Sequence, residues 1–214
     1  MNGGPDPAKR IRSVVEVPAL LDKSIPKYNI IMKCDKEIIS RIMEPSLSNE
    51  FMFKPYSDKD IEKWAKIEMS VGEFETKEAA INRFHKEFIP FGEELYERCW
   101  FITDRNNNYI ATASALNYKK DNKHWASLNW VAVKPEYQGK GLGKAIVQKA
   151  LTSCKTCEPN QDVYLKTQTW SHKAIKIYLK FGFNILKNET IAHYKNEYED
   201  AIGVLKKVID KGMH

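Results

Sequence analysis

The stretch PEYQGKGLGKAIVQKAL, residues 135–151, decides the fold because a glycine-rich loop runs directly into a helical pattern. A β-rich run, HWASLNWVAV at residues 124–133, precedes it, so strand, loop and helix follow one another. Gly139, Gly141 and Gly143 leave the main chain bare and permit positive φ angles. The first amides of a helix are unpaired, and the helix dipole there favours negative charge. The stretch therefore predicts a binding site for a phosphorylated ligand, most naturally a diphosphate.

Two familiar phosphate-binding loops are excluded by position. A P-loop needs a glycine five residues before Gly143, where Gln138 stands, and a serine or threonine where Ala145 stands. The dinucleotide pattern G-x-G-x-x-G, counted from Gly139, fails because Lys144 replaces its third glycine. Neither a nucleotide hydrolase nor a dehydrogenase is supported. On this motif alone, a glycine-rich turn without a ligand stays an alternative.

Strand and helix patterns are mixed along the rest of the chain. Strands are predicted at residues 28–34, 51–56, 124–133, 162–170, 183–187 and 190–194, with a hairpin over 98–118. Helices are predicted at residues 35–43, 60–70, 171–181 and 197–210. A further helix is predicted to begin at residue 76, with Ala80, Phe84, Phe88 and Ile89 on one face. Another is predicted to run from the glycine loop to about residue 151. In the second helix, Ile61, Trp64, Ile67 and Glu68 stand at helical spacing. This order predicts an α/β or α+β fold with a mixed, partly parallel central sheet flanked by helices.

Two motifs then stand in order along the chain. The first is Gln138-Gly139-Lys140-Gly141-Leu142-Gly143, and the second is SHKAIKIYLKFGF at residues 171–183. They resemble the Q/R-x-x-G-x-G/A and N-x-x-A-x-x-x-Y…G-F patterns of the GNAT superfamily of N-acetyltransferases. The resemblance covers about residues 51–194. It implies the GNAT acyl-CoA N-acyltransferase fold, with a domain at 51–212 that includes a C-terminal helix and an extension at 1–50 packed on the core.

The resemblance also implies where acetyl-CoA binds. In this family the donor lies in a gap between two diverging strands. The main chain of Val131, Ala132 and Val133 would then pair with the pantetheine amides. The loop would hold the pyrophosphate through Gln138, Gly139, Lys140, Gly141, Leu142, Gly143 and Lys144. Ser171, which stands where the pattern usually has asparagine, would cap the following helix and contact the cofactor.

Acetyl transfer from a thioester to an amine makes three chemical demands. The amine must lose a proton, the tetrahedral oxyanion needs a donor, and the thiolate must regain a proton. The resemblance assigns the last task to Tyr178 and the second to an amide at Val131 or its neighbour; a tyrosine with a purely structural hydroxyl is the alternative for Tyr178. Many relatives carry a strand glutamate where Ser127 stands, so the base is predicted on the loop at Glu73. A solvated loop acid is the alternative reading of Glu73 and of Glu75.

Composition bounds the class of protein. The 214 residues are 43% hydrophobic and 29% charged, as in a soluble globular protein. Lysine plus arginine exceed aspartate plus glutamate by 34 − 28 = 6, which suits an anionic ligand. The lysines are scattered and no groove-reading or base-stacking element is visible, so nucleic-acid binding is not expected. No apolar run approaches the ~20 residues that cross a bilayer, and the start lacks a secretory pattern, so a cytoplasmic location without membrane association is predicted.

The chain has four cysteines, and two of them form a C-x-x-C at Cys154 and Cys157. A thioredoxin-like pair should begin a helix, whereas this pair ends one. Zinc would need a second pair of ligands, and His172 and His193 lack matching spacing. No metal is therefore predicted.

The function that these features favour is acetyl-CoA-dependent N-acetylation of a small-molecule amine or a peptide amine, by direct attack in a ternary complex. The alternative is a non-catalytic sensor or scaffold that binds CoA or acyl-CoA, which the missing strand glutamate leaves open. A homodimer is compatible with the sequence, which does not fix the oligomeric state.

Overall fold

The computed structural model describes residues 21–210, and every structural statement here concerns that part of the chain. The strands are β1 Asn29–Cys34, β2 Phe51–Pro55, β3 Cys99–Asp104, β4 Tyr109–Lys120, β5 Lys123–Val133, β6 Val163–Gln168 and β7 Asn184–Ile185. The helices are α1 Lys36–Ser40, α2 Ile61–Ser70, α3 Lys77–Glu87, α4 Leu95–Arg98, α5 Leu142–Cys157, α6 His172–Lys180 and α7 Tyr198–Asp210. Short 3-10 turns stand at Ile89–Glu94, Pro135–Tyr137 and Thr169–Ser171.

The strands form a single mixed sheet in the order β2-β3-β4-β5-β6-β1-β7. All neighbouring pairs within it are antiparallel except β5 and β6, which run parallel. Parallel neighbours need a crossover connection, and α5 supplies it between β5 and β6. The mixed, partly parallel sheet predicted from the sequence is confirmed. The one parallel pair is where the glycine loop lies.

Strand β1 lies inside the sheet, although it comes first among the described strands. It pairs antiparallel with β6 on one side and with β7 on the other. Ile30, Ile31 and Met32 are all fully buried, and consecutive apolar residues are typical of a strand covered on both faces. The division of the chain at residue 50 stays a prediction, but residues 29–34 are part of the sheet that carries the site.

Two apolar clusters hold the helices on the sheet. The larger contains buried residues from the sheet and from α1, α5, α6 and α7, among them Ile39, Ile146, Ile175 and Leu205. The smaller joins the sheet to α2, α3 and α4 and is rich in aromatic residues, including Trp64, Phe84 and Phe88. The rings of Phe84 and Phe88 stack at 4.2 Å. The site lies where α2 and α6 approach the sheet beside the parallel strands β5 and β6.

Most predicted elements are confirmed, including the hairpin, whose tip is an Asx turn in which Asp104 Oδ1 accepts from the amides of Asn106 and Asn108. Three expectations were wrong. Residues 190–194 form a turn with a single bridge between Ile191 and Tyr194, not a strand. Ile89 is 47% exposed because α3 ends before it. The glycine-loop helix does not end at residue 151 but continues to Cys157. Of the extension predicted at residues 1–50, residues 1–20 lie outside the described part of the chain.

Gly182, at the end of α6, lies against Ile38 of α1. Its φ is +86°, and an added Cβ would lie 2.9 Å from Ile38 Cδ1. Gly182→Ala is therefore expected to lower the unfolding free energy by about 2–3 kcal/mol, from left-handed strain and overpacking. Denaturant unfolding measures this. The control is Gly203→Ala within α7, where a Cβ meets nothing within 4 Å, and which should gain about 0.5–1 kcal/mol. Equal effects at both positions would contradict the assigned contact.

Across residues 21–210, none of the helices combines the length and the apolar character that crossing a membrane requires.

Candidate functional site

The glycine loop exposes its main chain. Gly139 and Gly141 have φ angles of +78° and +79°, which L side chains rarely adopt, and a Cβ at either would face open space. Gly141 is the N-cap of α5. The first internal bond of that helix runs from Ala145 N to Gly141 O at 3.1 Å. Within the described residues, the amides of residues 139–144 have no protein acceptor, so they are free to bind an anion.

The next two loop positions serve packing. Leu142 is 3% exposed and belongs to the larger apolar cluster, so only its main chain is available to a ligand. A Cβ on Gly143 would lie 3.1 Å from Ile177 Cδ1 and 3.7 Å from Val133 Cγ2. The third glycine therefore lets α5 approach α6 and β5 closely, a role that the sequence analysis did not assign to it.

Side chains around the loop fix its position and its charge. Gln138 Nε2 donates to the carbonyl of Val133 at 3.1 Å, which ties the loop to the end of β5. Lys140 and Lys144 are exposed, and the Lys140 ammonium lies 5.3 Å from the centre of the Tyr137 ring. Two exposed cations thus stand beside the bare amides, which favours a multiply charged anion.

Strands β5 and β6 diverge next to this loop. Their parallel pairing is limited to Ser127 and Tyr164, so within the described chain β5 has no strand partner on that side beyond Ser127. Tyr118 of β4 stands at the point of divergence. Its hydroxyl accepts from Asn129 Nδ2 of β5 at 2.9 Å.

A β-bulge lies on β5 in the same gap. Thr112 pairs with Ala132 and Ser114 with Asn129, so Trp130 and Val131 together oppose Ala113. Trp130 has a φ of +52°, which is rare for a bulky residue. Its indole is held by a 2.8 Å bond to Glu87 Oε2 and by stacking on Phe74. Because a bulge leaves an extra residue outside the ladder, a main-chain group at Trp130 or Val131 is free to face the gap.

The gap opens into a cavity of about 160 Å³. It brings together Val131, Ser171, Tyr178 and Glu73, which the sequence analysis selected. The other residues lining it are Leu21, Glu68, Val71, Arg83, Glu87, Tyr118, Leu128, Asn129, Trp130, Leu165, Lys166, Thr167, Gln168, Ala174 and Tyr194. Ala132 and Val133 do not line it with their side chains, which are buried in the two apolar clusters. A single space thus joins the strand gap to the second motif.

Tyr178 lines this cavity. It is 6% exposed, on α6, with its ring centre 6.0 Å from that of Phe183. Burial raises the pKa of Tyr178, and the charges of Glu68 and Glu73 raise it further. A phenol in this state is a proton donor throughout the neutral range.

The two positions at which a base was sought are a loop glutamate and a strand serine. Glu73, on the loop between α2 and α3, is exposed at the cavity rim and accepts from Gln168 Nε2 at 3.4 Å. Ser127 is fully buried and donates to Asn129 Oδ1 at 2.6 Å. No carboxylate from β5 enters the cavity, so any proton acceptor must come from another element.

Glu68 is the functional candidate that sequence reasoning missed. It lies on α2 at 1% exposure, and its Oε1 has no hydrogen-bond partner among the described residues. Burial, and secondarily the charge of Glu73, raises the pKa of Glu68 well above its usual range. The available signal was its helical spacing with Trp64 and Ile67, since a glutamate on an apolar face is rare without a partner.

A second cavity of about 330 Å³ adjoins the first. Five residues line both: Arg83, Glu87, Tyr118, Asn129 and Tyr194. Phe91, Lys86, Lys119 and His193 line only the second. The first cavity therefore adjoins a space between α3 and the turn at residues 191–194.

Other candidate residues have smaller roles. Ser171 precedes α6, but its side chain makes no cap hydrogen bond, so the expected cap is absent. Cys154 and Cys157 lie in the last turn of α5, and burial raises the pKa of both thiols, which disfavours reactive thiolates. Within residues 21–210, no group of three His, Cys, Asp or Glu side chains is placed to hold a metal ion.

Sequence comparison places residues 59–183 on the model of the acetyltransferase (GNAT) family. An N-alpha-acetyltransferase of Sulfurisphaera tokodaii is 32% identical over 71 residues, which is 33% of this chain and 41% of that protein. A Bacillus subtilis protein, provisionally named a ribosomal protein bS18-alanine N-acetyltransferase, is 32% identical over 80 residues, 36% of this chain and 50% of the relative. The chain thus spans half or less of these relatives' lengths.

Comparison of structures gives the same fold. A GCN5-related N-acetyltransferase from Sphaerobacter thermophilus superposes with a TM-score of 0.54 at 15% sequence identity, over 75% of this chain and 49% of that one. At this identity the likeness concerns the fold, whose mixed sheet and helices correspond.

Proposed function

The chain belongs to the acetyltransferase (GNAT) family, and from that premise we propose that it moves the acetyl group of acetyl-CoA to a primary amine in a ternary complex. One observation carries the proposal. The unbonded amides of residues 139–144 follow the end of β5, and Val131 of that strand lines, together with Tyr178, the cavity at the gap between β5 and β6. An anion cradle, an open strand edge and a proton donor thus follow one another.

The donor fits this order of features. Its diphosphate would bind the loop amides from Gly139 to Lys144, with Lys140 and Lys144 adding charge. The edge of β5 at residues 131–133 would bind the pantetheine amides as an absent strand neighbour does. Ser171 at the start of α6 lines the same cavity. The thioester would then lie between the bulge and Tyr178.

The acceptor would enter through the second cavity. The donor takes the approach beside the glycine loop, so the space between α3 and the turn at residues 191–194 is left for the amine. Glu73 lines the reactive cavity and favours a cationic nitrogen there. The Bacillus subtilis relative is named for a protein substrate, which supports a peptide amino terminus as the acceptor class.

The chain's own groups would divide the chemistry as follows. An amide at the Trp130–Val131 bulge would donate to the oxyanion of the tetrahedral intermediate. Tyr178 would protonate the departing sulfur, whose thiol has a pKa near ~8.5. Glu73, at the rim, would attract the ammonium form of the amine. Glu87 already accepts hydrogen bonds from Trp130 and Arg83, so its role is to hold these two side chains in the cavity wall.

Calorimetry with acetyl-CoA, followed by thiol release with amines, tests the proposal. We expect acetyl-CoA to bind with a dissociation constant in the ~1 μM to 1 mM range usual for enzyme substrates. We also expect thiol release to depend on an added amine, with an alanine-initiated peptide among the active ones. The absence of detectable binding at millimolar acetyl-CoA would refute it.

A non-catalytic CoA-binding module is the second candidate, because the buried Ser127 leaves β5 without a carboxylate. The same experiments separate the two functions. Binding without amine-dependent thiol release from any of a broad set of primary amines would favour the module.

A further inference from the structure

We propose that Glu68 is the group that takes the proton from the acceptor amine. This inference rests on the proposed function and names the catalytic residue that β5 lacks. Glu68 lines the reactive cavity together with Tyr178 and Val131. Its side chain is 1% exposed, and its Oε1 has no partner in residues 21–210. A buried carboxyl oxygen without a partner costs free energy, so this oxygen is available to a ligand that brings a donor.

Helix α2 explains how the carboxyl group comes to be there. Trp64 and Ala65 bury the same face of the helix in the aromatic cluster, and Glu68 stands one turn after Trp64. The Trp64 ring packs edge-on against Trp130, 5.3 Å between centres. Trp64, one turn before Glu68 on α2, thus contacts Trp130 at the bulge of β5. This contact keeps Glu68 beside the gap.

The surroundings of Glu68 set its proton affinity. Burial is the main cause that raises the pKa of Glu68, and the negative charge of Glu73 raises it further. The negative charge of Glu68 also contributes to the raised pKa values of Tyr178 and Cys99. The remaining charged groups that line the cavity are Arg83 and Glu87 of α3 and Lys166 of β6.

A raised proton affinity suits this task. An α-amino group has a pKa near ~7.7–8.0 and a lysine near ~10.4, and an ordinary carboxylate is far too weak a base for either. A buried carboxylate and a desolvated ammonium approach each other in proton affinity, because burial disfavours both charges. Proton transfer between them then costs little, which is the condition for effective general base catalysis.

The protons balance in two steps. The entering ammonium gives one proton to the Glu68 carboxylate, and the resulting amine attacks the thioester carbonyl. As the carbon–sulfur bond breaks, the sulfur takes a proton from Tyr178, and the second proton lost by the nitrogen restores the phenol. Glu68 then releases its proton to solvent. The net products are an amide, a thiol and one proton.

The test compares Glu68→Gln with Glu62→Gln. Glutamine keeps the size of the carboxyl group and cannot accept the proton. Glu62 is on the same helix but exposed, in a 2.7 Å ion pair with Lys77, and serves as the control. With acetyl-CoA and an alanine-initiated peptide, Glu68→Gln should lower kcat/KM at least ~100-fold and leave the acetyl-CoA dissociation constant unchanged. Glu62→Gln should remain within about twofold on both measures, since exposed pairs contribute little.

The pH profile separates a base from a structural residue. The wild-type rate should rise with the ionisation of Glu68 and then stay level, because Glu68 takes the proton of the ammonium form and the neutral amine present at higher pH reacts as well. In Glu68→Gln only the neutral amine reacts, so the rate should rise about tenfold per pH unit up to the pKa of the amine. A structural role would lower stability but leave the shape of the wild-type profile unchanged, and that result would overturn the inference.

Stability gives a readout that requires no acceptor. A carboxyl group whose pKa is raised by folding stabilises the protein below its unfolded value of about 4.3 and loses that contribution as pH rises through the folded value. The unfolding free energy of wild type should therefore fall relative to that of Glu68→Gln as pH increases above about 5. Parallel curves would overturn the inference.

Two further outcomes distinguish this inference from the proposed function. Wild type that binds acetyl-CoA but acetylates no amine would refute the proposed function and with it the role of Glu68. Active wild type, with the activity of Glu68→Gln within threefold of it, would refute that role alone.

Discussion

Gly141→Glu is expected to weaken acetyl-CoA binding at least ~100-fold while the protein stays folded. The position has a φ of +79° and nothing within 4 Å of an added Cβ, so the new side chain projects into the space where the anion would bind. A unit charge ~5 Å from a phosphate costs about 3 kcal/mol at an effective dielectric constant of about 20, and 1.4 kcal/mol corresponds to tenfold. Left-handed strain adds about 1–2 kcal/mol to the cost of folding. Isothermal titration calorimetry measures the affinity, and thermal unfolding measures the strain.

Gly141→Gln is the matched control. It has the same backbone strain and nearly the same volume without the charge, so the difference between the two variants isolates electrostatic repulsion. We expect Gly141→Gln to lose roughly tenfold in affinity or less. If the two variants bind acetyl-CoA equally well, the diphosphate does not lie on this loop.

The parts of the site that depend on local chemistry could be predicted from the sequence. Gly139 and Gly141 could be interpreted because a positive φ and an exposed helix start are consequences of glycine placement alone. Gly143 looked the same in the sequence, yet it serves the contact with Ile177. Only the neighbouring helix distinguishes the two uses, and the sequence does not show which helix lies near.

Features that depend on long-range pairing were beyond the sequence. The consecutive apolar residues Ile30, Ile31 and Met32 predict a covered strand, but the place of that strand between β6 and β7 is set by partners far away in the sequence, such as Thr167 for Ile30 and Ile185 for Met32. The bulge at Trp130 arises from a register shift between β4 and β5, which no local pattern encodes. Residues 190–194 have strand-like composition but lack a neighbour along most of their length, so they form a turn.

The acid assignments show the same limit. Glu73 was selected because a loop bordering the site was expected to hold an acid, and it does line the cavity. Glu68 was visible only as a helical position. Its importance follows from the absence of a carboxylate at Ser127 and from an oxygen that no neighbour satisfies. Burial without a partner is a property of the folded surroundings, and it makes Glu68 a stronger candidate for the base than the exposed Glu73.

Tyr178→Phe is expected to lower kcat at least ~100-fold and to change the acetyl-CoA dissociation constant less than threefold. Phenylalanine keeps the ring packing, including the 6.0 Å contact with Phe183, and removes only the hydroxyl that faces the cavity. Loss of a positioned proton donor costs 10²–10⁴-fold, whereas a group that does not hold the diphosphate contributes little to ground-state binding. Because burial, Glu68 and Glu73 all raise the pKa of Tyr178, wild type should show no rate loss from tyrosine ionisation up to about pH 9. Steady-state thiol release and calorimetry give the two quantities.

The control for this variant is Tyr164→Phe on β6. Tyr164 is half-buried, does not line the reactive cavity, and lies where β5 and β6 still pair, so its loss should leave kcat within about twofold. A donor bearing a thiol of lower pKa gives a further check, because a better leaving group needs less help from an acid. Such a donor should recover part of the rate of Tyr178→Phe and little in Glu68→Gln, whose defect concerns the nucleophile. If kcat of Tyr178→Phe equals that of wild type, the sulfur receives its proton from another group and the tyrosine is a packing residue.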